Sequence, residues 1–214
     1  DQWRRTFRMS RAMNRKNRVQ EYLLQSAEIQ KGVANECAES ILLAAELITA
    51  CFQSGGKVLL CGNGGSAADC QHMATEFVSR LRKDFERPGL PAIALTTDTS
   101  YITAFANDFG FDGMFERQVQ ALGNPGDILI AISTSGESVN VIRAVKAAWA
   151  SDIYPIVITG RGGQLGEMGK VSISVPSNDT QYVQESHLAI EHILCELVEK
   201  DMFGLGESGR AQTL

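Results

Sequence analysis

Five short apolar runs, at 57–61, 92–96, 128–133, 155–159 and 171–175, leave this chain few folds to choose from. They are dominated by Val, Ile, Leu and Ala with little polar alternation, as in strands covered on both faces. Each of the first four is followed by a segment long enough for a crossover helix. The runs are therefore expected to pair in parallel through right-handed βαβ units. Ahead of them, apolar residues recur at spacings of three and four: Leu23, Leu24 and Ala27, then Cys37, Ile41, Leu42, Ala45, Ile48 and Phe52. That spacing predicts one or two amphipathic helices over 18–52, ended by Gly55 and Gly56, and a last helix is expected over about 180–203. The expected fold class is α/β: a three-layer sandwich around a five-stranded parallel sheet, with N-terminal helices.

A chain of 214 residues can bury such a core as one domain. It has no apolar stretch near the roughly 20 residues of a membrane span, and no apolar h-region follows its arginine-rich start. No membrane partner and a cytoplasmic location are expected. The five cysteines, 37, 51, 61, 70 and 195, are odd in number and form no Cys-x-x-Cys pair. That argues against a disulfide framework and against a zinc knuckle. Residues 1–18 contribute +6 to a net charge of −5, leaving −11 on the remainder. A basic arm could serve nucleic acid. It carries only Trp3 and Phe7 as aromatics and lacks a starting Met, so no nucleic acid partner is expected. We read 1–17 as a disordered or non-native extension, with Met9 or Met13 as candidate native starts, 18–203 as the folded domain with an N-terminal helical hairpin, and 204–214 as a polar tail.

In parallel sheets ligands bind beyond the carboxyl ends of the strands. Polar clusters fall at those ends, at 62–66, 96–100, 133–138 and 159–163. GNGGS at 62–66 matches the dinucleotide fingerprint only weakly. That reading wants an acidic residue about 20 residues on to hold a ribose, and Asp98 lies 31 residues past Ala67. The glycines alternatively serve only a tight strand-to-helix turn. STSGES at 133–138 places Ser133, Thr134, Ser135 and Ser138 around Gly136 at a helix start. Hydroxyls and free amides without a lysine suit one small phosphate, and the helix dipole adds about 0.3–1 kcal/mol. Ordinary N-capping needs only one of these hydroxyls. A phosphosugar is the expected ligand.

His72 and Glu76, at i and i+4 on the helix leaving the first loop, project from one face. They can bind a metal, share acid–base work, or simply form a surface pair. Gln184, His187 and His192 lie on the terminal helix, and a lone His on an amphipathic helix is usually structural.

Taken together, CGNGGSAADCQHMATE (61–76), ANDFGF (106–111), ISTSGES (132–138) and VQESHLAIEH (183–192) resemble the phosphoheptose isomerases. These are sedoheptulose 7-phosphate isomerases of the SIS sugar-isomerase class. The similarity runs in order and with matching spacing from about 18 to 203. The resemblance implies a flavodoxin-like SIS sheet and an aldose–ketose isomerase of heptose biosynthesis. It implies that Asn63, Gly64 and Gly65 line the sugar, that Asn107 and Asp108 contact it together with Gln184 and Glu76, and that Ser133, Thr134, Ser135 and Ser138 hold the phosphate. Glu76 and His192 match the catalytic pair. One zinc ion per subunit would be bound by His72, Glu76, Gln184 and His192, and a homotetramer with sites at subunit interfaces is implied.

Helix geometry qualifies that shell. Gln184 and His192 stand about 12 Å apart in rise and about 80° in azimuth, so both reach one ion only through long converging side chains or from different subunits. Tyr182 replaces the family's arginine, and Thr75 stands where an acidic or small residue is common. Isomerisation between C1 and C2 needs a base near both carbons and an acid for the oxygens. Glu76 is assigned to carbon and His192 to oxygen, the reverse being equally consistent with sequence. The rival from another class is a non-catalytic SIS module that senses a sugar phosphate or binds a protein, as in a relative, the replication-initiator-associating SIS protein, that lacks the Glu and His. A nucleotide-binding oxidoreductase is a third.

Overall fold

The computed structural model describes residues 2–204, with side chains from residue 14 onward. The polar tail at 205–214 lies outside the described residues. Five parallel strands form one sheet: β1 (Val58–Gly62), β2 (Ala92–Ala94), β3 (Ile128–Ser133), β4 (Tyr154–Thr159) and β5 (Val171–Ser174), in the order β2-β1-β3-β4-β5. Every residue of β1 and β3 is buried, as continuous apolar runs require when helices cover both faces. In register, Val58 faces Ile128 and Gly62 faces Ile132, so β1 and β3 end side by side. The order reverses direction between these two strands, which makes their carboxyl ends the topological switch point.

Among the described residues nine helical segments surround the sheet or precede it, counting α1 (Gln2–Glu36), α2 (Ala38–Gln53), α3 (Gly65–Val78), α4 (Thr99–Phe109), α5 (Met114–Leu122), α6 (Val139–Ala150) and α7 (Thr180–Phe203), with short 3-10 turns over Phe111–Gly113 and Gln164–Glu167. One core joins α1, α2, α3 and α7 to one sheet face through residues such as Ile48, Phe77, Ile130 and Leu194. The other joins α5 and α6, with Tyr101, Ile102 and Phe105 of α4, through Leu59, Phe115, Leu129 and Val145. Phe77 is fully buried and meets Phe52 edge-on at 5.4 Å, an arrangement that adds about 0.5–1.5 kcal/mol to its burial. Among the described residues no helix is long and apolar enough to cross a membrane.

Three local expectations differ from the structure. The helix expected from about residue 18 begins at Gln2, because the basic start contains no Gly or Pro to stop it. The N-terminal helices are not a hairpin. Only Cys37 separates α1 from α2, and hydrogen bonding passes through it in both directions, its N–H to Val33 O and its C=O to Ile41 N, each at 2.9 Å. One residue bends a helix but is too short for an antiparallel turn. The crossover from β4 to β5 carries the four-residue 3-10 turn instead of an α-helix, since 160–170 holds five glycines.

Candidate functional site

Both Gly-rich loops leave the switch point. At the first, α3 begins directly at Gly65, and the Gln184 amide of α7 occupies the space that a side chain at 65 would need. At the second, Gly136 takes φ +68° while the carbonyl of Gly162 closes to 2.8 Å from where its Cβ would stand. A residue with a side chain is excluded there by backbone and by contact alike. This tight approach holds the 133–138 loop against the 160–166 loop, reinforced by Leu165 N to Gly136 O at 2.9 Å and Gln164 N to Glu137 Oε1 at 2.9 Å.

Within the loop, Ser133 Oγ lies 3.0 Å from Ser138 Oγ and 3.4 Å from Ser135 Oγ. The Gly136 N–H donates to Ser133 Oγ and the Glu137 N–H to Ser135 Oγ, both at 3.2 Å. Ser138 is the N-cap of α6 yet makes no side-chain cap. The capping role that one hydroxyl was free to take is therefore not the one observed, and the hydroxyls gather on each other over the helix start. The two loops are joined by Asn63 and Asn140, whose side-chain amides exchange hydrogen bonds of 2.8 and 2.9 Å. Asp98, the acid a ribose site would have needed, accepts from Tyr101 N at 2.9 Å as the N-cap of α4.

α3 and α7 lie side by side on one sheet face, and this brings together residues far apart in sequence. His72 Nε2 stands 2.8 Å from His192 Nε2 and 3.6 Å from Glu76 Oε1, with all three side chains half-buried. One ligand atom from each lies within 4.8 Å of the others. Two imidazoles and a carboxylate form a donor set of the kind that holds zinc, whose tetrahedral ligands stand about 3.3–3.5 Å apart. The residues present fit a metal. Gln184 approaches from the same terminal helix as His192. Its amide stands at Gly65 and beside Asp69, whose carboxyl burial pushes up while Gln184 and His72 oppose the shift. Asn107 and Asp108 are elsewhere, on the exposed last turn of α4, with Asn107 Nδ2 donating to Asp108 Oδ1 at 2.8 Å. That helix packs with α5 and α6 on the opposite sheet face.

The last turn of α3 is fastened by a group that sequence reasoning missed. Arg87, its side chain 1% exposed, donates to Glu76 O and Phe77 O at 2.7 Å and pairs with Glu199 of α7 at 2.7 Å. An Arg-Pro-Gly segment beginning nine residues past the end of α3 was the only available signal. Tyr182, which stands where the resemblance has arginine, is buried and packs on Tyr22 with ring centroids 4.7 Å apart. Glu185 is instead answered by Tyr22 Oη and Ser26 Oγ of α1, both at 2.6 Å.

His187 and Glu191 face the core, fully buried; His187 lies against the Thr159 backbone, and the Glu191 carboxyl has no hydrogen-bond partner among the described residues. Burial lowers the His187 pKa to about 4. For Glu191 burial, helped by Asp69, raises the pKa from 4.5 to about 9. An acid raised in this way costs the fold stability progressively across the pH range in which the unfolded chain is ionised and the folded one is not. The stability it permits is full below about pH 4.5 and declines toward pH 9. At pH 7 the penalty is at most about 3 kcal/mol. Glu191→Gln is expected to raise the thermal midpoint at pH 8 and to flatten its dependence between pH 5 and 9. An unchanged pH profile in calorimetry would show that Glu191 is ionised in the folded protein.

Comparison with known proteins agrees with this architecture. Residues 21–160 match the SIS domain family. The chain is 52% identical over 195 residues to a phosphoheptose isomerase of Burkholderia pseudomallei, covering 88% of this chain and 98% of the relative. It superposes on phosphoheptose isomerase GmhA from Neisseria gonorrhoeae with a TM-score of 0.81 at 43% identity, covering 86% of this chain and 98% of that one. For a phosphoheptose isomerase from Francisella tularensis the values are 0.82 and 39%, covering 86% and 97%. With the sheet order, the two loops at its switch point and identity at this level over nearly whole chains, the protein belongs to the phosphoheptose isomerases of the SIS domain class.

Proposed function

We propose that the protein interconverts sedoheptulose 7-phosphate and D-glycero-D-manno-heptose 7-phosphate, as an aldose–ketose isomerase of heptose biosynthesis. The observation that carries this reading is the approach of Glu76 and His192, through His72, on the two helices flanking the sugar loop. The Glu76 carboxylate takes a proton from C1 while His192 delivers one to the C2 carbonyl oxygen, giving the enediol. Return of a proton to C2 and loss of the O1 proton give the aldose. Ser133, Thr134, Ser135 and Ser138 hold the phosphate, and Asn63, Gly64, Gly65 and Gln184 line the sugar. His72, Glu76 and His192 would hold a zinc ion, which when bound polarises substrate oxygens. Product analysis after incubation with sedoheptulose 7-phosphate, with and without chelator, tests the reaction. No aldose under either condition would favour the sensor reading.

The cradle's lack of a lysine and its packed hydroxyls lead to a sharper expectation. Calorimetry should detect sedoheptulose 7-phosphate and not sedoheptulose, and Ser133→Ala with Thr134→Val should raise KM about tenfold or more, one charged hydrogen bond being worth about 1.5–3 kcal/mol. Equal binding of the unphosphorylated sugar would remove the phosphate role from this loop.

We further propose that residues 18–203 form the functional domain and that it works in the cytoplasm as a homotetramer. Leu23 and Leu24 are 62% and 67% exposed, and Leu42 and Leu43 are about half exposed, an apolar surface that a second copy would cover. Asn107 and Asp108 would then reach the sugar of a neighbouring subunit. Sedimentation should give a species several times the 23.3 kDa chain. A monomer at micromolar concentration would overturn the shared site.

A further inference from the structure

We infer that Asn140, which none of the readings above places in the site, is a positioning residue: it orients the Asn63 amide so that Asn63 offers an N–H, and not its carbonyl, to the sugar. The inference rests on the reading of Asn63 as sugar-binding. Its physical basis is a hydrogen bond whose direction admits no exchange of atoms. The Val141 backbone N–H can only donate, and it meets the Asn140 side chain at 3.0 Å. The Asn140 atom at that contact must be the oxygen. The same oxygen lies 2.8 Å from Asn63, so the Asn63 atom facing it is nitrogen. The return bond, Asn140 Nδ2 to Asn63 Oδ1 at 2.9 Å, closes the pair.

Asn140 is 3% exposed and is held by the start of α6, so its own orientation is set before any ligand arrives. Asn63 is half-buried at the end of β1. Its carbonyl is engaged by Asn140, and its second N–H remains for a ligand. A lone donor at this place selects an acceptor oxygen, such as the carbonyl or a hydroxyl oxygen of an open-chain sugar. The pair also spans 77 residues of sequence and ties the sugar loop to the helix that carries the phosphate cradle. Sugar and phosphate ends of one ligand are thereby held at a fixed separation.

The test is a double-mutant cycle on the full chain, with kcat/KM for sedoheptulose 7-phosphate and competitive inhibition by inorganic phosphate as its two readouts. Asn140→Ala is expected to lower kcat/KM about 10- to 100-fold, the scale of a misplaced contact. Asn63→Ala should lower it at least as far. Because Asn140 acts through Asn63, the double variant should fall within about twofold of Asn63→Ala alone. Inhibition by phosphate should stay within about threefold of the parent. Asn140→Asp keeps the size and the acceptor for Val141 N but loses the donor to Asn63, so it should behave like Asn140→Ala and answers for that variant if it does not fold. Losses that multiply, phosphate inhibition weakened as much as turnover, or parental activity in Asn140→Asp would each overturn the inference. A parent protein with no isomerase activity would overturn the functional reading and this inference together, whereas an active parent with multiplying losses sinks only the role of Asn140.

Discussion

Glu76→Gln and His192→Gln are each expected to slow isomerisation of sedoheptulose 7-phosphate about 10²- to 10⁴-fold, or about 2.7–5.4 kcal/mol of barrier. Glutamine keeps the size of the carboxylate and removes its basicity; at 192 it removes the titrating ring. Affinity for the sugar phosphate, whose phosphate we propose is held by the separate 133–138 loop, should change far less. Since His72, Glu76 and His192 converge on one point, both variants need their metal content measured beside kcat. His72→Gln separates the two roles, because it removes a candidate ligand and leaves the proposed acid–base pair. Near-parental turnover in folded Glu76→Gln and His192→Gln would show that the chemistry is carried elsewhere.

The largest loss of stability is expected from Arg87→Met. Arg87 and Glu199 are each 1% exposed in their side chains, and Glu199 Oε1 also accepts from Leu81 N at 3.0 Å. Removing the guanidinium leaves a buried carboxylate without its partner and frees the carbonyls of Glu76 and Phe77, a change that costs about 3–5 kcal/mol. For a chain of this size that is a fall of about 6–20 °C in Tm. Arg87→Met with Glu199→Leu should recover most of the loss, since no charge is then stranded. Thermal denaturation at one protein concentration reads both. A single variant within about 1 kcal/mol of the parent would mean that Glu199 takes up a proton or reaches water when Arg87 is gone. Turnover should fall with stability, because the turn that Arg87 fastens begins at the carbonyl of Glu76.

The central strands β1, β3 and β4 were legible because a strand covered on both faces must be apolar along its length, and 57–61, 128–133 and 155–159 are so almost without interruption. Where composition worked against a regular element, the structure departed from the expectation: five glycines turned the expected last crossover helix into a 3-10 turn, and one residue at Cys37 turned a hairpin into a bend. The site divides in the same way. GNGGS, STSGES and the His72/Glu76 spacing are local, so sequence alone placed them at strand ends or on one helix face. The meeting of His72 with His192 depends on α3 lying beside α7, and the Asn63–Asn140 pair depends on β1 lying beside β3. Strand order and helix packing are products of the whole core, and no short window of sequence encodes them. Sequence therefore determined which chemical groups the protein carries and which strand ends hold them. Tertiary structure alone decided that Gln184 stands at Gly65, that Asn107 and Asp108 lie on the opposite sheet face, and that Arg87 binds α3 to α7, because contacts across 70 to 160 residues are set by packing.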